Sequence, residues 1–221
     1  ILHRIREVFS EVLHRDPADL GLHQVYDVAH NTAKLETHTL DGEAVYKDHP
    51  ITEALGALDT MRTQIALLRV QLLENRSEAR QETEFLLYIL HTCFLIGSSV
   101  ADPHNRKPEW HPVRLQPVHL EKLEAEQARL EAALHLPRAF IVCAANPLAA
   151  QSDVAASATR AFERRLVALR MENPDLAGGL IGAYVNRLSD YFFILARSLE
   201  QGVHQALDYS RVHVPGEVSP P

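Results

Sequence analysis

Two polar runs lie on stretches that otherwise have the apolar pattern of buried helices. In the first, Arg160, Glu163 and Arg164 are spaced at i, i+3 and i+4, which places them on one face of a helix. The second run, residues 186–190, has the sequence NRLSD and begins with Asn186. Guanidinium groups bind phosphate oxygens with bidentate geometry, and an amide can contact a ribose or a base edge. The two runs together predict a site for a polyphosphate nucleotide.

The same spacing has a second interpretation that the residue types leave open. Arginine and glutamate at helical spacing also form intrahelical ion pairs on a solvated face. Polar groups on a core-facing stretch are costly to bury unless each one finds a partner. The NRLSD run therefore indicates either an internal polar network of a helical bundle or a binding site for a polar ligand.

Long amphipathic stretches separated by proline- and glycine-containing breaks predict an all-α protein. Leu55, Leu58 and Ile65 show the mixed three- and four-residue steps that indicate one buried helix face. Long helices joined by short turns predict an up-and-down five-helix bundle. The five helices are expected at residues 52–74, 77–101, 118–135, 152–171 and 176–207, with Ser77 as the N-cap of the second.

The chain is expected to have three regions. Residues 1–46 contain strand-like Val and Tyr residues and an Asp-Gly turn signal at 41–42, so they predict a small α/β-like appendage. Residues 47–207 form the bundle. Residues 208–221 end in prolines and are expected to be a flexible tail.

Composition narrows the class of protein. The 221 residues are 46% hydrophobic and carry a formal net charge of −7, which argues against a protein that coats nucleic acid. Cys93 and Cys143 lie far apart without a CxxC motif, so a disulfide scaffold is not indicated. The apolar run at 85–100 is interrupted by His91 and is shorter than the roughly 20 residues that a membrane span needs. We therefore expect a cytoplasmic protein without a membrane partner.

Four segments resemble one known family. The stretches YVNRLSDYFFILAR (184–197), ATRAFERRLVAL (158–169) and AFIVCAANP (139–147) are similar to the ATP:cob(I)alamin adenosyltransferases, which form trimeric, ferritin-like helix bundles. KDHPITEALGALDTMRTQIALLR (47–69) is similar to the first helix of that family. The resemblance covers roughly residues 47–206, in order.

The resemblance implies a reaction and its participants. The 5′-deoxyadenosyl group of ATP would pass to the Co(I) of cobalamin or another corrinoid, and triphosphate would leave. Mg²⁺ would help to neutralise the phosphates, and the sites would lie between neighbouring subunits of a homotrimer. Because Co(I) is itself the nucleophile, the protein has mainly to position ATP and to displace the lower ligand of the cobalt.

The resemblance also implies roles for individual residues. Phe140 matches the aromatic residue that displaces the lower cobalt ligand, which makes it the candidate catalytic residue, although an ordinary core phenylalanine is an equally good interpretation of its sequence context. Five side chains match the ATP-binding residues of the family: Arg160, Glu163, Arg164, Asn186 and Asp59. The two arginines would contact phosphates with Glu163 between them, Asn186 would contact the nucleotide, and Asp59 is the acid of the first helix.

This chain departs from the family pattern in three places. The glycine-rich Thr-Arg-Thr-Gly-Asp-Lys-Gly-Thr-Thr loop that cradles phosphates has no counterpart before Lys47. Residues 143–145 are Cys-Ala-Ala where the family usually has Pro-Gly-Gly. Ala156 replaces an arginine that pairs with the first-helix acid, and Arg62 is a candidate replacement partner for Asp59. These departures favour an alternative, a catalytically degenerate bundle that binds corrinoid or nucleotide as a carrier or regulator.

The first segment resembles a different family. LGLHQVYDVAHNTAKLETHTLDGE (20–43) is similar to the GTP- and Mn²⁺-dependent tRNA-splicing RNA ligases. The resemblance implies that His30 is a Mn²⁺ ligand and that Asn31 contacts the guanylate. The other metal ligands and the guanylylated histidine of that family are missing, so one imidazole cannot make the site. We expect a ligase remnant fused to the bundle, without RNA ligation by this chain alone.

Overall fold

The computed structural model describes residues 35–40, 42–76, 78–172 and 178–212. The candidate manganese ligand His30 and its neighbour Asn31 lie outside these residues. So does most of the segment that resembles the RNA ligases.

The chain divides into two compact units, Ile1–Thr37 and His38–Pro221. The second unit contains all the long helices that the structure describes. They are α1 (Pro50–Asn75), α2 (Arg80–Ala101), α3 (Pro117–Ala132), α4 (Pro147–Glu172) and α5 (Gly178–Leu199). In the bundle, α4 packs on both α1 and α5, while α2 packs on α1 and α3 packs on α5. The predicted all-α five-helix bundle is confirmed.

Proline marks the start of three of these helices. Pro50, Pro117 and Pro147 each occupy the first turn, where the missing N–H is not needed and the fixed φ angle suits a helix. The side chain of His49 caps α1 by accepting a hydrogen bond from the Ile51 N–H at 3.2 Å. Helix α2 begins at Arg80 with Ala79 as its N-cap, and the predicted cap Ser77 lies outside the described residues.

The core forms where the periodic apolar faces of the helices meet. Its largest fully buried side chains include Tyr184, Tyr191 and Phe192 of α5. The Tyr191 ring lies 5.3 Å from the ring of Phe85 on α2 and 5.4 Å from that of Phe192, measured between centroids. By length and composition α2 resembles a membrane span, and its buried face packs inside this bundle.

Short strands lie before, between and after the long helices. Strands β1 (Glu36–His38) and β2 (Ala44–Tyr46) form one pair, and the turn between them contains Gly42 with a left-handed φ of 88°. Strands β3 (Ile141–Cys143) and β4 (Gln205–Ala206) form an antiparallel pair. Residues 205–206 therefore pair as a strand, where the sequence predicted a continuation of the fifth helix.

The fifth helix is shorter than predicted because its backbone changes direction. It ends at Leu199, and the next residues include Gln201 and Gly202 with φ angles of 53° and 84°. Both angles lie in the left-handed region, which interrupts the right-handed helix and which glycine adopts without strain.

Candidate functional site

A groove of about 700 Å³ lies between α1 and α4. Small side chains on both helices leave space for the groove, because no bulky group fills the region between the facing helix surfaces. They are Gly56, Ala57, Ala158, Ala161 and Ala168. Charged side chains also line the groove: Lys47, Glu53, Arg164 and Arg165. Three cations and one carboxylate make this groove suitable for a polyanionic ligand.

The groove is crossed by one ion pair and leaves other cations available. Arg165 on α4 contacts Glu53 on α1, with 3.2 Å between Nη2 and Oε2. Among the residues that the structure describes, no carboxylate lies within ion-pairing distance of Arg160 or Arg164. Both side chains are exposed, so their guanidinium groups can take an external anion without breaking an internal contact.

Glu163 connects α4 to α5. Its Oε1 accepts a hydrogen bond from Asn186 Nδ2 at 3.1 Å. Within the described part of the chain, no ion pair joins Glu163 to Arg160 or Arg164, so the intrahelical ion pairs that their helical spacing also permits are not formed. The carboxylate instead orients the Asn186 amide and leaves the amide oxygen as a free acceptor among the described residues.

The remaining NRLSD residues face in other directions. Arg187 lies 3.4 Å from Glu124 on α3 and 3.4 Å from Asp190 one turn along its own helix. Leu188 is buried in the core, and the hydroxyl of buried Ser189 donates to the Asn186 carbonyl at 3.0 Å. The run therefore contributes one residue beside the candidate site, while its other polar members are satisfied within the bundle.

Asp59 has an intrahelical partner. Its carboxylate contacts Arg62, which lies one turn along α1. The Arg62 guanidinium carbon also lies 4.9 Å from the centroid of the Phe94 ring on α2. Ala156, which stands where the resembled family has an arginine, is buried in α4. Asp59 does not line the groove, although its neighbour Thr60 does.

Phe140 lies in a separate place. Its side chain is 77% exposed and lines a pocket of about 450 Å³ together with Arg138, Leu207 and Tyr209. The Leu207 N–H donates to the Phe140 carbonyl at 2.7 Å, so the β3–β4 pairing extends up to this residue. The core-phenylalanine interpretation is therefore wrong, because a side chain this exposed makes no core.

A partly buried ionic contact joins α4 to α5, two turns before Arg160. Asp153 Oδ2 lies 2.6 Å from Nη2 of Arg197 on α5. Burial raises the pKa of Asp153, and the neighbouring charges of Arg197 and Arg160 only partly oppose this effect. The Asp153 carboxyl is therefore close enough to Arg160, a predicted ATP-binding residue, for the charge of Arg160 to lower its pKa.

The structure assembles part of the predicted site. It brings Glu163 and Asn186 together and places Arg164 in the groove, whereas Phe140 lines the separate pocket. Lys47 and Arg165 also line the groove but were not among the predicted site residues, although Arg165 belongs to the same charged run as Arg164 and Lys47 begins the segment that resembles the family's first helix. No cluster of three or more potential metal ligands is found among the described residues.

Comparison with protein families gives two matches. The model of the family described as cobalamin adenosyltransferase matches residues 31–199. The model described as tRNA-splicing ligase RtcB matches residues 1–58. The two matched regions overlap in the segment that leads into α1.

Individual relatives follow the same division. A corrinoid adenosyltransferase of Mycobacterium bovis is 31% identical over 117 residues, which are 53% of this chain and 61% of that protein. The tRNA-splicing ligase RtcB of Pyrococcus abyssi is 56% identical over 45 residues, which are 20% of this chain and 5% of the ligase. The chain therefore spans less than two thirds of the length of either curated relative.

Solved structures match over more of the chain. A variant of the PduO-type ATP:corrinoid adenosyltransferase of Lactobacillus reuteri, complexed with cobalamin and ATP, has a TM-score of 0.69 and 25% identity. The match covers 83% of this chain and 98% of that one. Another variant of the same protein, complexed with ATP, has a TM-score of 0.68 and 26% identity, and covers 80% of this chain and 98% of that one.

Proposed function

Because the chain belongs to the cobalamin adenosyltransferase family, we propose that it transfers the 5′-deoxyadenosyl group of ATP to the Co(I) of cobalamin or a related corrinoid. The observation that carries this proposal is the charged groove between α1 and α4. Lys47, Arg164 and Arg165 line it. The pair of Glu163 on α4 and Asn186 on α5 lies beside it, next to Arg164 in the chain.

The triphosphate of ATP is the part of the substrate that this groove suits best. Exposed Arg164 supplies a bidentate donor in the groove, and Lys47 supplies a point charge. Exposed Arg160 does not line the groove but lies one turn before Arg164 on α4, where it would contact an extended phosphate chain. Asn186, held by Glu163, supplies an amide for the sugar or the base. We propose Mg²⁺ as the counterion of the phosphates, since a triphosphate carries more negative charge than Lys47 and Arg164 neutralise in the groove, where Arg165 is paired with Glu53.

The corrinoid would bind at the pocket that Phe140 lines. An exposed aromatic side chain can enter the space beside the corrin ring and displace the lower ligand of the cobalt. This pocket has a volume of about 450 Å³, which is large enough for part of the corrinoid but not for all of it. The remaining contacts would come from a neighbouring subunit.

We propose that the chain forms a homotrimer. Several large apolar side chains are exposed on the outer faces of α1, α2 and α4, where an interface would cover them. They are Leu67, Val70, Phe94, Val154 and Val167. The protein would work in the cytoplasm, where a free thiol such as that of buried Cys93 stays reduced.

The domain organisation that we propose follows from the two family matches. Residues 1–46 would be a fragment of the RNA-ligase type and residues 47–207 the adenosyltransferase bundle. Of the segment expected to be a tail, Tyr209–Arg211 form a short 3₁₀ helix, and residues 213–221 lie outside the described residues. We propose that the chain does not ligate RNA by itself, because it spans only 5% of the ligase that it matches.

The test is an anaerobic assay with Co(I) cobalamin, ATP and Mg²⁺, in which the visible spectrum follows the cobalt–carbon product. Arg160→Ala and Asn186→Ala should each reduce kcat/KM by about tenfold to a hundredfold, because each removes a polar contact to a charged ligand. Arg187→Ala is the matched control. It is adjacent to Asn186 in sequence but pairs with Glu124 and Asp190 at the surface, so we expect near-parental rates.

A second candidate function has its own supporting observation. Asp59 pairs with Arg62 on its own helix, and Ala156 is buried where the family has an arginine. A chain that has lost this arginine would retain a binding groove while losing catalysis, as a carrier or regulator would. Binding of cobalamin or ATP without any adenosylated product would favour this alternative over the enzyme.

A further inference from the structure

A buried ionic cluster lies where α5 ends. Glu200 and Arg197 are buried, and Arg197 Nη2 lies 3.2 Å from Glu200 Oε1. The other oxygen of Glu200 contacts Nδ1 of His204, whose side chain is almost fully buried. Arg197 also contacts Asp153 of α4. Each oxygen of the Glu200 carboxylate is therefore used, and the cluster joins α5 to α4 and to the chain that follows α5.

Glu200 also contacts the segment that carries Phe140. The Ala145 N–H donates to Glu200 Oε1 at 3.2 Å. The adjacent Asn146 side chain donates to the Leu199 carbonyl at 2.9 Å. Two connections thus attach the end of this segment to the last residues of α5.

A second route leads from Glu200 to Phe140 through the backbone. The contact between Glu200 and His204 spans the left-handed residues Gln201 and Gly202, so it closes the turn that leads from α5 into β4. Strand β4 pairs with β3, and the Leu207 N–H then donates to the Phe140 carbonyl at 2.7 Å. Residues 200–207 therefore contact the segment 140–145 at both of its ends.

We infer that Glu200, supported by His204, is a positioning residue for Phe140. Its carboxylate fixes the turn after α5 and the Ala145 amide together, and so holds the Phe140 backbone while its side chain remains exposed. This inference builds on the proposed function, in which Phe140 approaches the corrinoid. Because a small displacement of a reacting group costs rate, loss of Glu200 should act on turnover more than on ATP binding.

The test combines local hydrogen exchange with kinetics. In Glu200→Ala we expect faster amide exchange in residues 138–146 and 203–207 of the full chain, without cobalamin or ATP present. The kcat with Co(I) cobalamin should fall by about tenfold or more, while KM for ATP changes by less than about twofold. Glu200→Gln retains an oxygen acceptor for the Ala145 N–H, and should recover most of the protection from exchange and part of the kcat.

A matched control separates positioning from general stability. Glu126→Ala also removes a buried carboxylate, one that lies 2.7 Å from Arg129 on α3. It should lower thermal stability without changing exchange in residues 138–146. If Glu200→Ala does not fold, His204→Ala serves instead, because it removes one contact of the cluster and leaves Arg197 paired with Glu200.

The outcomes distinguish this inference from the proposed function. Unchanged exchange at 138–146 in folded Glu200→Ala or His204→Ala would overturn the inference, even if the parent chain is active. The inference would also be overturned if amide exchange at 138–146 increased no more in Glu200→Ala than it does in Glu126→Ala. Faster exchange at 138–146 in the variant would support the positioning role even if the parent chain makes no adenosylated product. The absence of product from the parent chain would refute the catalytic proposal.

Discussion

At the scale of single residues, the polar run on α5 shows how one motif divides among different tasks. Asn186 faces Glu163 on α4, whereas Arg187 pairs with Glu124 on α3. The surface ion-pair interpretation is correct for Arg187, and the ligand interpretation remains a prediction for Asn186. Residue types alone could not separate the two, because successive residues of a helix point about 100° apart and therefore meet different neighbours.

Arg62→Ala tests the partner of the first-helix acid. The change removes an i, i+3 ion pair to Asp59 and a cation–π contact to Phe94. We expect the free energy of unfolding to fall by about 1 kcal/mol, the sum of typical values for two partly exposed contacts. Denaturant titration measures it. Arg76→Ala, which removes only a contact of 3.5 Å to exposed Glu78, should change it by less than about 0.5 kcal/mol.

Unchanged stability in Arg62→Ala would contradict this account. If ATP binding is also unaltered in that variant, Arg62 does not compensate for the alanine at position 156. A loss of ATP affinity without loss of stability would instead indicate that the arginine acts at the ligand.

At the scale of elements, the predicted helix boundaries agree with the structure better than the predicted conformations of the connecting segments do. The helices α1 and α3, which begin with proline, start within two residues of their predicted positions, whereas α4 begins at Pro147, five residues before its predicted start at 152. The end of α5 was predicted at residue 207 but lies at Leu199, although Gly202 is a typical glycine just beyond a helix end. The strand character of β4 depends on its pairing with β3, about 60 residues earlier in the chain, which no local pattern encodes.

The loop after α2 contains a buried acid whose pKa links stability to pH. Asp102 accepts hydrogen bonds from the backbone amides of Arg106 and Lys107 at 2.7 and 2.8 Å, and contacts His111 Nε2 at 2.8 Å. Burial by itself would raise the pKa of Asp102, but these hydrogen bonds outweigh it and lower the pKa below the usual 3.8. The carboxylate therefore stabilises the fold above the unfolded-state pKa, and this stabilisation is lost as pH falls through the lower, folded-state pKa.

Asp102→Asn should accordingly lower the free energy of unfolding near pH 7 by about 1–3 kcal/mol, since buried donors lose a charged acceptor. The variant should also lose part of the fall in stability that the parent shows below pH ~4. Unfolding titrations from pH 3 to 7 measure both effects. Asp190→Asn, at an exposed ion pair, is the control and should stay within about 0.5 kcal/mol of the parent. Parallel pH curves for Asp102→Asn and the parent would refute the assignment.

At the scale of the whole molecule, exposed apolar side chains on the bundle predict assembly. Val70 on α1 and Val118 on α3 are 47% and 59% exposed, but only Val70 lies on the face that we propose as the interface. We expect the parent chain to sediment at about three times its mass of 24.8 kDa. Val70→Glu should dissociate the trimer because it buries an unpaired charge, while Val118→Glu should leave it intact. A monomeric parent would contradict an inter-subunit site.

Local sequence patterns were enough to predict the bundle and most of the candidate residues. Apolar residues at helical spacing decide which face of a helix is buried, and this is a local property. Four of the five helices lie within about five residues of their predicted boundaries at both ends, and Arg160, Glu163, Arg164 and Asn186 were named before any contact was known.

Which of these side chains contact one another depends on how the helices pack. Glu163 binds Asn186 rather than an arginine, Lys47 and Arg165 line the groove, and Phe140 lies apart from it at an exposed pocket. Contacts between helices depend on their axial offset and rotation, which the packing of the whole core fixes. A periodic pattern specifies the buried face of each helix, but the residue that it meets on the next helix is set by that packing.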